Sequence, residues 1–226
     1  MFIPRFLRRT YVSPEEEAYL RLARKGYMPR SIVDVGAYEG NWTRLAKKYF
    51  PDANVLMCEA QKEKSTYLQK VCSDLENVEV SIGPLSSKPG ELLEFYEMET
   101  GSSLFPENSN VARDRRVLAT KTLDDVAAHL EGPIFLKIDA QGAELLVLEG
   151  GEETLRRCDM VQLEVALLKY NRGAPSFLDV VSYMDERAFV PFDLSGWSRP
   201  NGEDLVQIDI LFVKEESPLR PSFFKF

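Results

Sequence analysis

Phe135-Leu136-Lys137-Ile138-Asp139-Ala140-Gln141-Gly142-Ala143-Glu144 reads as the end of a buried strand that breaks at a glycine and opens a helix. Lys137 and Asp139 interrupt an apolar run and, at the two-residue strand period, share a face with Phe135. Charges have no place in such a strand unless they are paired or used. The same transition occurs about a hundred residues earlier, in Ile32-Val33-Asp34-Val35-Gly36-Ala37-Tyr38-Glu39-Gly40. Two strand ends, each with an acid and a glycine turn, predict a ligand site on the carboxyl edge of a parallel sheet.

Outward from these two segments, strands and helices alternate. Ser13-Pro14-Glu15-Glu16 opens a helix with a serine cap, proline at the first position and acids in the first turn; it runs to Lys25 and stops at Gly26. Strands are expected at Ser31–Val35, Asn54–Cys58, Val78–Ile82, Pro133–Ile138 and Met160–Val165, with helices near Asn41–Tyr49, Lys62–Ser73 and Ser176–Glu186, a short helix in Thr120–Leu130, and a helix over Gly142–Cys158 with a weak point at Gly150-Gly151. Gly90–Met98 reads as an extra strand after the third, followed by a polar loop without period over Glu99–Arg116. Phe189–Leu194 and Leu205–Val213 are two final strands whose short connection, Ser195–Asp204, demands antiparallel pairing. The expectation is an α/β, doubly wound sheet of about seven strands, mostly parallel, with a strand and loop inserted after the third. Gln207–Val213 is a candidate sheet edge for dimerisation, although nothing decides the oligomeric state.

The 226 residues suit one α/β domain, and the apolar (44%) and charged (28%) fractions are ordinary for a globular chain. A net charge of -8 disfavours DNA or RNA as a partner. Three cysteines, Cys58, Cys72 and Cys158, form no C-x-x-C pair and read as reduced thiols of a cytoplasmic protein. No apolar run is long enough to span a bilayer, and the basic, apolar start from Met1 to Arg9 is too short for a signal peptide.

Gly36 and Gly40 stand four apart, outside the G-x-G-x-x-G pattern of dinucleotide folds. They allow close backbone approach, and the following helix N-terminus favours a negative group. Asp34 would repel a pyrophosphate but suits an ammonium, while Glu59, about twenty residues on, is placed for ribose hydroxyls. Ribose, amine and carboxylate together describe S-adenosylmethionine. NAD fits Glu59 but neither Asp34 nor the glycine spacing.

At the second strand end, Lys137, Asp139, Gln162 and Glu164 would form a polar cluster, joined by Glu144; Lys137 and Glu144 serve equally well as a structural ion network. His129, the one histidine, precedes the fourth core strand and falls on the amino edge, away from chemistry. A base would then be Asp139 or Glu164. A divalent cation on the same two acids is a second, less favoured option, because no dense ligand motif accompanies them.

Val33–Ala37 with Gly40 and Thr43, Cys58-Glu59-Ala60, Thr122-Leu123-Asp124-Asp125, Lys137–Glu144 and Leu163-Glu164-Val165 together resemble the FkbM family of S-adenosylmethionine-dependent methyltransferases. The resemblance covers roughly residues 31–195, and the Lys137–Glu144 box is its specific part. It implies a class I methyltransferase, Rossmann-like fold and O-methylation of a hydroxyl on a sugar, glycoside or related small molecule. It implies that Asp34, Gly36, Ala37, Gly40, Asn41 and Thr43 cradle the methionine part, Glu59 and Ala60 the ribose, and Ser81 and Ile82 the adenine. Asp139 and Gln141 would face the sulfonium, and Asp139, Glu164, Lys137 and Glu144 form the catalytic set. Tyr38-Glu39 departs from the smaller residues of many relatives. Residues 1–30 then form a helical extension, 31–214 the catalytic domain with an acceptor-side insertion over 84–120, and 215–226 a tail. Ser102, Ser103, Asn108, Asn110 and Arg113 are acceptor-binding candidates in the inserted loop, and Trp197 can stack on a sugar face. Two further readings stand beside this one: an NAD-dependent oxidoreductase, and a non-catalytic S-adenosylmethionine-binding scaffold.

Overall fold

A computed structural model describes residues 12–106, 108, 113–169 and 171–221. Pro14–Arg24 forms α1, Ser31–Val35 β1, Asn41–Tyr49 α2, Asn54–Glu59 β2, Ser65–Asp74 α3 and Val78–Ile82 β3. Leu92–Glu97 and Asp114–Ala119 are β4 and β5, and Leu123–Val126 is α4. Ile134–Ile138 is β6, Glu144–Glu149 α5, Glu152–Arg157 α6, Cys158–Ala166 β7, Phe177–Asp185 α7, Phe189–Ser198 β8 and Gln207–Lys214 β9.

Seven strands lie in the order β3-β2-β1-β6-β7-β9-β8, with β9 antiparallel to both its neighbours. The chain winds outward from β1 to β3 and returns to β6 beside β1, so the switch point lies between the two strand ends that decide the fold. Each strand divides its residues between two cores. Val33, Val35, Leu136, Ile138, Val161 and Leu163 pack with Leu123, Val147, Leu155 and Met184 of the later helices. Ile32, Met57, Phe135, Met160, Leu211 and Val213 pack with Tyr19, Leu22, Ala46, Phe50, Leu68 and Val71 of the earlier ones. Asp34, Lys137, Asp139, Gln162, Glu164 and Asp209 follow the period of this second set, on the side covered by α1, α2 and α3.

Several expectations change in detail. Asp114–Arg116 does not belong to a loop: it begins β5, which pairs with β4 as a separate hairpin. β5 is largely exposed and lacks the alternation that marks a half-buried strand, whereas β4, expected as a strand, buries Phe95. The helix expected over 142–158 divides into two at its weak point, where Gly150 lies against the Ser86 carbonyl and Gly151 against Leu123 with no room for a Cβ. The short helix expected in Thr120–Leu130 is α4, capped by Thr122. β8 runs on through Ser198, and β9 is interior, between β7 and β8; β8 is the edge strand, so Gln207–Val213 is no free edge.

The helix at Pro14 is no separate extension. Ala18, Tyr19 and Leu22 are fully enclosed, and the Tyr19 ring meets Trp42, Tyr49, Phe50 and Phe135. Ser13 caps it through the Glu16 amide, as the sequence predicts.

Candidate active site

The carboxyl ends of β1, β2 and β6 leave two clefts that share Gly36, Tyr38 and Asp139 in their walls. The first is a slot with Val35, Leu85, Phe95, Leu104 and Val147 as apolar walls and Glu59, Gln61 and Gln141 as polar groups. Glu59 accepts hydrogen bonds from the Tyr38 amide at 2.7 Å and the Gln61 amide at 2.8 Å. Burial raises the Glu59 pKa while these two donors oppose the rise. Its carboxylate is thereby fixed in the slot, with lone pairs left for hydroxyl donors.

Gly36 is the hinge between the clefts. At φ +77° it sits so close to β6 that a Cβ would lie 1.9 Å from the Asp139 carbonyl oxygen. Its amide and that of Ala37 are both committed to the Cys58 carbonyl. Donors for an anion come instead from the start of α2, which has no side-chain cap. Ala37 and Asn41 line the second cleft at this point, and Ala60 lines the first.

The second cleft is built from Lys137, Asp139, Gln162, Glu164 and Asp209 on the strands, with Glu15, Glu39 and Trp42 from the helical side. Lys137 Nζ reaches Asp34 Oδ1 at 3.2 Å, the Val35 and Gly36 carbonyls, and Asp139 at 3.8 Å. Burial works against this ammonium, but the Asp34, Asp139 and Glu164 carboxylates outweigh it, and its pKa lies above the ordinary lysine value. Gln141, at φ +50°, turns its amide nitrogen between the two acids, donating to Asp139 at 2.9 Å and to Glu164 at 2.7 Å. Burial, and then the negative charges of Asp139, Glu144 and Asp209, push the Glu164 pKa well up. Burial, Asp139 and Glu15 push that of Asp209 up to about 7.

Other predicted site residues sit elsewhere. Asp34 is 0% exposed and has no ligand-facing oxygen: Oδ2 accepts from Thr43 and Oδ1 from Lys137. Thr43 is likewise buried, so both support the site from beneath. Gly40 faces Val71, Leu68 and Met57 and serves packing against α3. Glu144 accepts the Ala140 and Gly142 amides through one oxygen and lines neither cleft. Ser81 and Ile82 stop short of the slot, which is lined by Gly83, Pro84 and Leu85 beyond them. Ser102 and Ser103 line the first cleft, with the Ser103 hydroxyl donating to the Gln141 carbonyl. Asn108 donates to the Lys169 carbonyl, and Arg113 to that of Gly101. Asn110 lies outside the described residues. Trp197 is 56% exposed on the edge strand and lines neither cleft. His129 pairs with Glu79 on the opposite edge of the sheet.

Among the lining residues that escape the sequence reading as site residues are Glu15, Trp42, Asp209 and the slot residue Phe95. Asp209 carried a usable signal, an acid inside an apolar strand, identical in kind to that of Asp139. Glu15 carried none, because a first-turn acid already suits any helix. Among the described residues no group of three or more His, Cys, Asp or Glu is disposed to hold a metal ion, and no helix is long and apolar enough to cross a membrane.

A family model described as the methyltransferase FkbM domain matches residues 34–191. The fold is similar to that of the methyltransferase FkbM from Methylobacillus flagellatus KT: 15% identity, TM-score 0.52, covering 83% of this chain and 44% of that one. EvdMO1 is similar at 12% identity and TM-score 0.51, covering 89% and 41%. SMU.1697c, a putative methyltransferase from Streptococcus mutans in complex with SAH, is similar at 12% identity and TM-score 0.50, covering 91% and 99%. The chain thus spans less than half the length of the first two. No curated protein matches the sequence.

Proposed function

The chain belongs to the FkbM methyltransferase family, and on that premise we propose that it moves the methyl group of S-adenosylmethionine to a hydroxyl of a small, sugar-containing or related acceptor. The observation that carries this reading is the pair of joined clefts: an apolar slot holding one fixed acid, open through Gly36 and Asp139 to a cleft rich in carboxylates.

The residues present fit the cofactor. Glu59 would accept the ribose hydroxyls, Leu85, Phe95 and Val147 would enclose the purine, and the uncapped start of α2 would meet the carboxylate. Asp139 and Glu39 are the acids nearest the turn for the ammonium, in place of the buried Asp34. When bound, S-adenosylmethionine supplies a methyl carbon made electrophilic by the attached sulfonium. The chain's task is then to align an acceptor oxygen with that carbon, exclude water and receive a proton. Trp42 gives the acceptor cleft one aromatic wall, and Lys137, 3.8 Å away, holds Asp139 in place. A cation between Asp139 and Glu164 fits poorly, because the Gln141 amide nitrogen already bridges them. Three unpaired cysteines suit a cytoplasmic location.

Calorimetric titration with S-adenosylhomocysteine, with NAD as control, tests the cofactor assignment. Micromolar binding of the first alone is expected, followed by methyl transfer from labelled S-adenosylmethionine to a panel of hydroxylated sugars. Binding of NAD alone would move the protein to redox chemistry. Tight cofactor binding without turnover on any hydroxylated acceptor would make it a scaffold.

A further inference from the structure

Five carboxylates line the acceptor cleft, and four of them are already engaged by the protein. Glu15 accepts from the Trp42 indole and the Gln162 amide, Glu39 pairs with Lys64, Asp139 takes Gln141 and Lys137, and Glu164 takes Gln141. Asp209 is the exception: its carboxylate receives no donor among the described residues. It stands on β9 in register with Glu164 of β7, on the face that carries Lys137 and Asp139. The neighbouring strand makes room for it, since a Cβ at Gly196 would lie 2.1 Å from Asp209 Oδ2. A carboxylate enclosed in a cleft, given space and left without a partner has its capacity free for a ligand.

We propose that Asp209 is the catalytic residue that takes the proton of the acceptor hydroxyl. This assignment rests on the methyl-transfer reading above and names the proton's destination within it. The acceptor oxygen bonds to the methyl carbon, the carbon–sulfur bond breaks with its electron pair staying on sulfur, and the hydroxyl proton passes to Asp209 Oδ. The proton is lost to water once the neutral thioether and the ether product leave. The groups facing Asp209 suit this role: Glu15 from α1 and Asp139 beyond β6 add negative charge, Lys137 moderates it, and Glu164 on β7, its own pKa pushed well up, stands beside it. Burial and that charge hold the carboxyl near neutrality, where a base works best.

The test is proton counting, which needs no acceptor. Parent protein and Asp209→Asn are titrated by calorimetry with S-adenosylhomocysteine and with S-adenosylmethionine, at pH 7, in two buffers of different ionisation heat. The sulfonium charge lowers the proton affinity of the cleft, so the parent releases more proton with S-adenosylmethionine than with the neutral thioether. In Asp209→Asn this difference falls by half or more, Glu164 supplying the remainder, while affinity for S-adenosylhomocysteine stays within about threefold, and Asp209→Glu restores it. Turnover of Asp209→Asn on an acceptor from the sugar panel falls about a hundredfold or more. Equal proton counts for the two ligands in the parent, or a difference that survives undiminished in Asp209→Asn, overturn the assignment and leave the methyl-transfer reading intact. Failure of the parent to bind either ligand overturns the cofactor reading itself.

Discussion

Glu144 carries a carboxylate into the interior, where it is 3% exposed. Burial raises its pKa from 4.5 to about 7, although the Gly142 and Ala140 amides pull the other way. The folded state therefore holds the proton more tightly than the unfolded chain. The resulting stability is complete below about pH 4.5 and is lost as pH rises through about 7, a change of roughly 3 kcal/mol. Both amides donate to the same oxygen, Oε1, which the side-chain carbonyl of glutamine can replace. Glu144→Gln is thus expected to fold, to match the parent at pH 4.5 and to exceed it in denaturant titrations at pH 8. Glu164 and Asp209 slope the same way, so the readout is the difference between variant and parent. An unchanged pH dependence would mean that Glu144 stays ionised. The sequence shows an acid at the head of a helix; whether it turns to a ligand or to its own turn depends on where Ala140 and Gly142 aim their amides.

At the level of elements, the β4–β5 hairpin is the most informative insertion. It follows β3, and Phe95, Glu99, Ser102, Ser103 and Leu104 from it and its connection cover the slot. Glu99 ties this cover down: it accepts from Tyr38 at 2.6 Å and Lys64 at 2.8 Å, and its carbonyl accepts from Gln61. The Lys64 ammonium also lies 3.9 Å from the centre of the Tyr38 ring. Such exposed ties are individually weak, about 0.2–1 kcal/mol. Their loss acts on the opening of the cover more than on global stability. Glu99→Ala is expected to speed S-adenosylhomocysteine release about three- to tenfold in stopped-flow displacement, with an unchanged melting temperature. An unaltered release rate would show that the hairpin does not gate the slot. Tyr38 is one end of this tie. The sequence located the insertion and its first strand but not the pairing, because the exposed β5 carries no apolar alternation.

Across the whole molecule, α1 closes one face of the sheet and joins the site to the core. Tyr19 sits among four aromatic rings and donates to Gln162 at 2.6 Å, while Gln162 and Trp42 both donate to Glu15. The same network that packs the helix thereby shapes the acceptor cleft. Tyr19→Ala removes a fully buried ring and should cost about 3–5 kcal/mol in denaturant-induced unfolding. A loss below about 1 kcal/mol would return α1 to the status of a dispensable extension.

What this sequence determined by itself is the winding of the sheet and the two strand ends where chemistry gathers. Strand period, glycine turns and helix caps are local, and Val33–Gly40 and Phe135–Glu144 state them without help from distant residues. Glu59 was also legible, because its distance from the first turn is set by one βα unit. Only the tertiary structure decided which acids line the clefts. Asp34 and Asp139 look alike in sequence, yet Lys137 and Thr43 enclose the first while the second opens on both clefts. Glu15 and Asp209 come from opposite ends of the chain, and no local pattern links them. Their convergence depends on α1 packing over β7 and on β9 inserting beside it, and a carboxylate's role follows from the neighbours that this packing supplies.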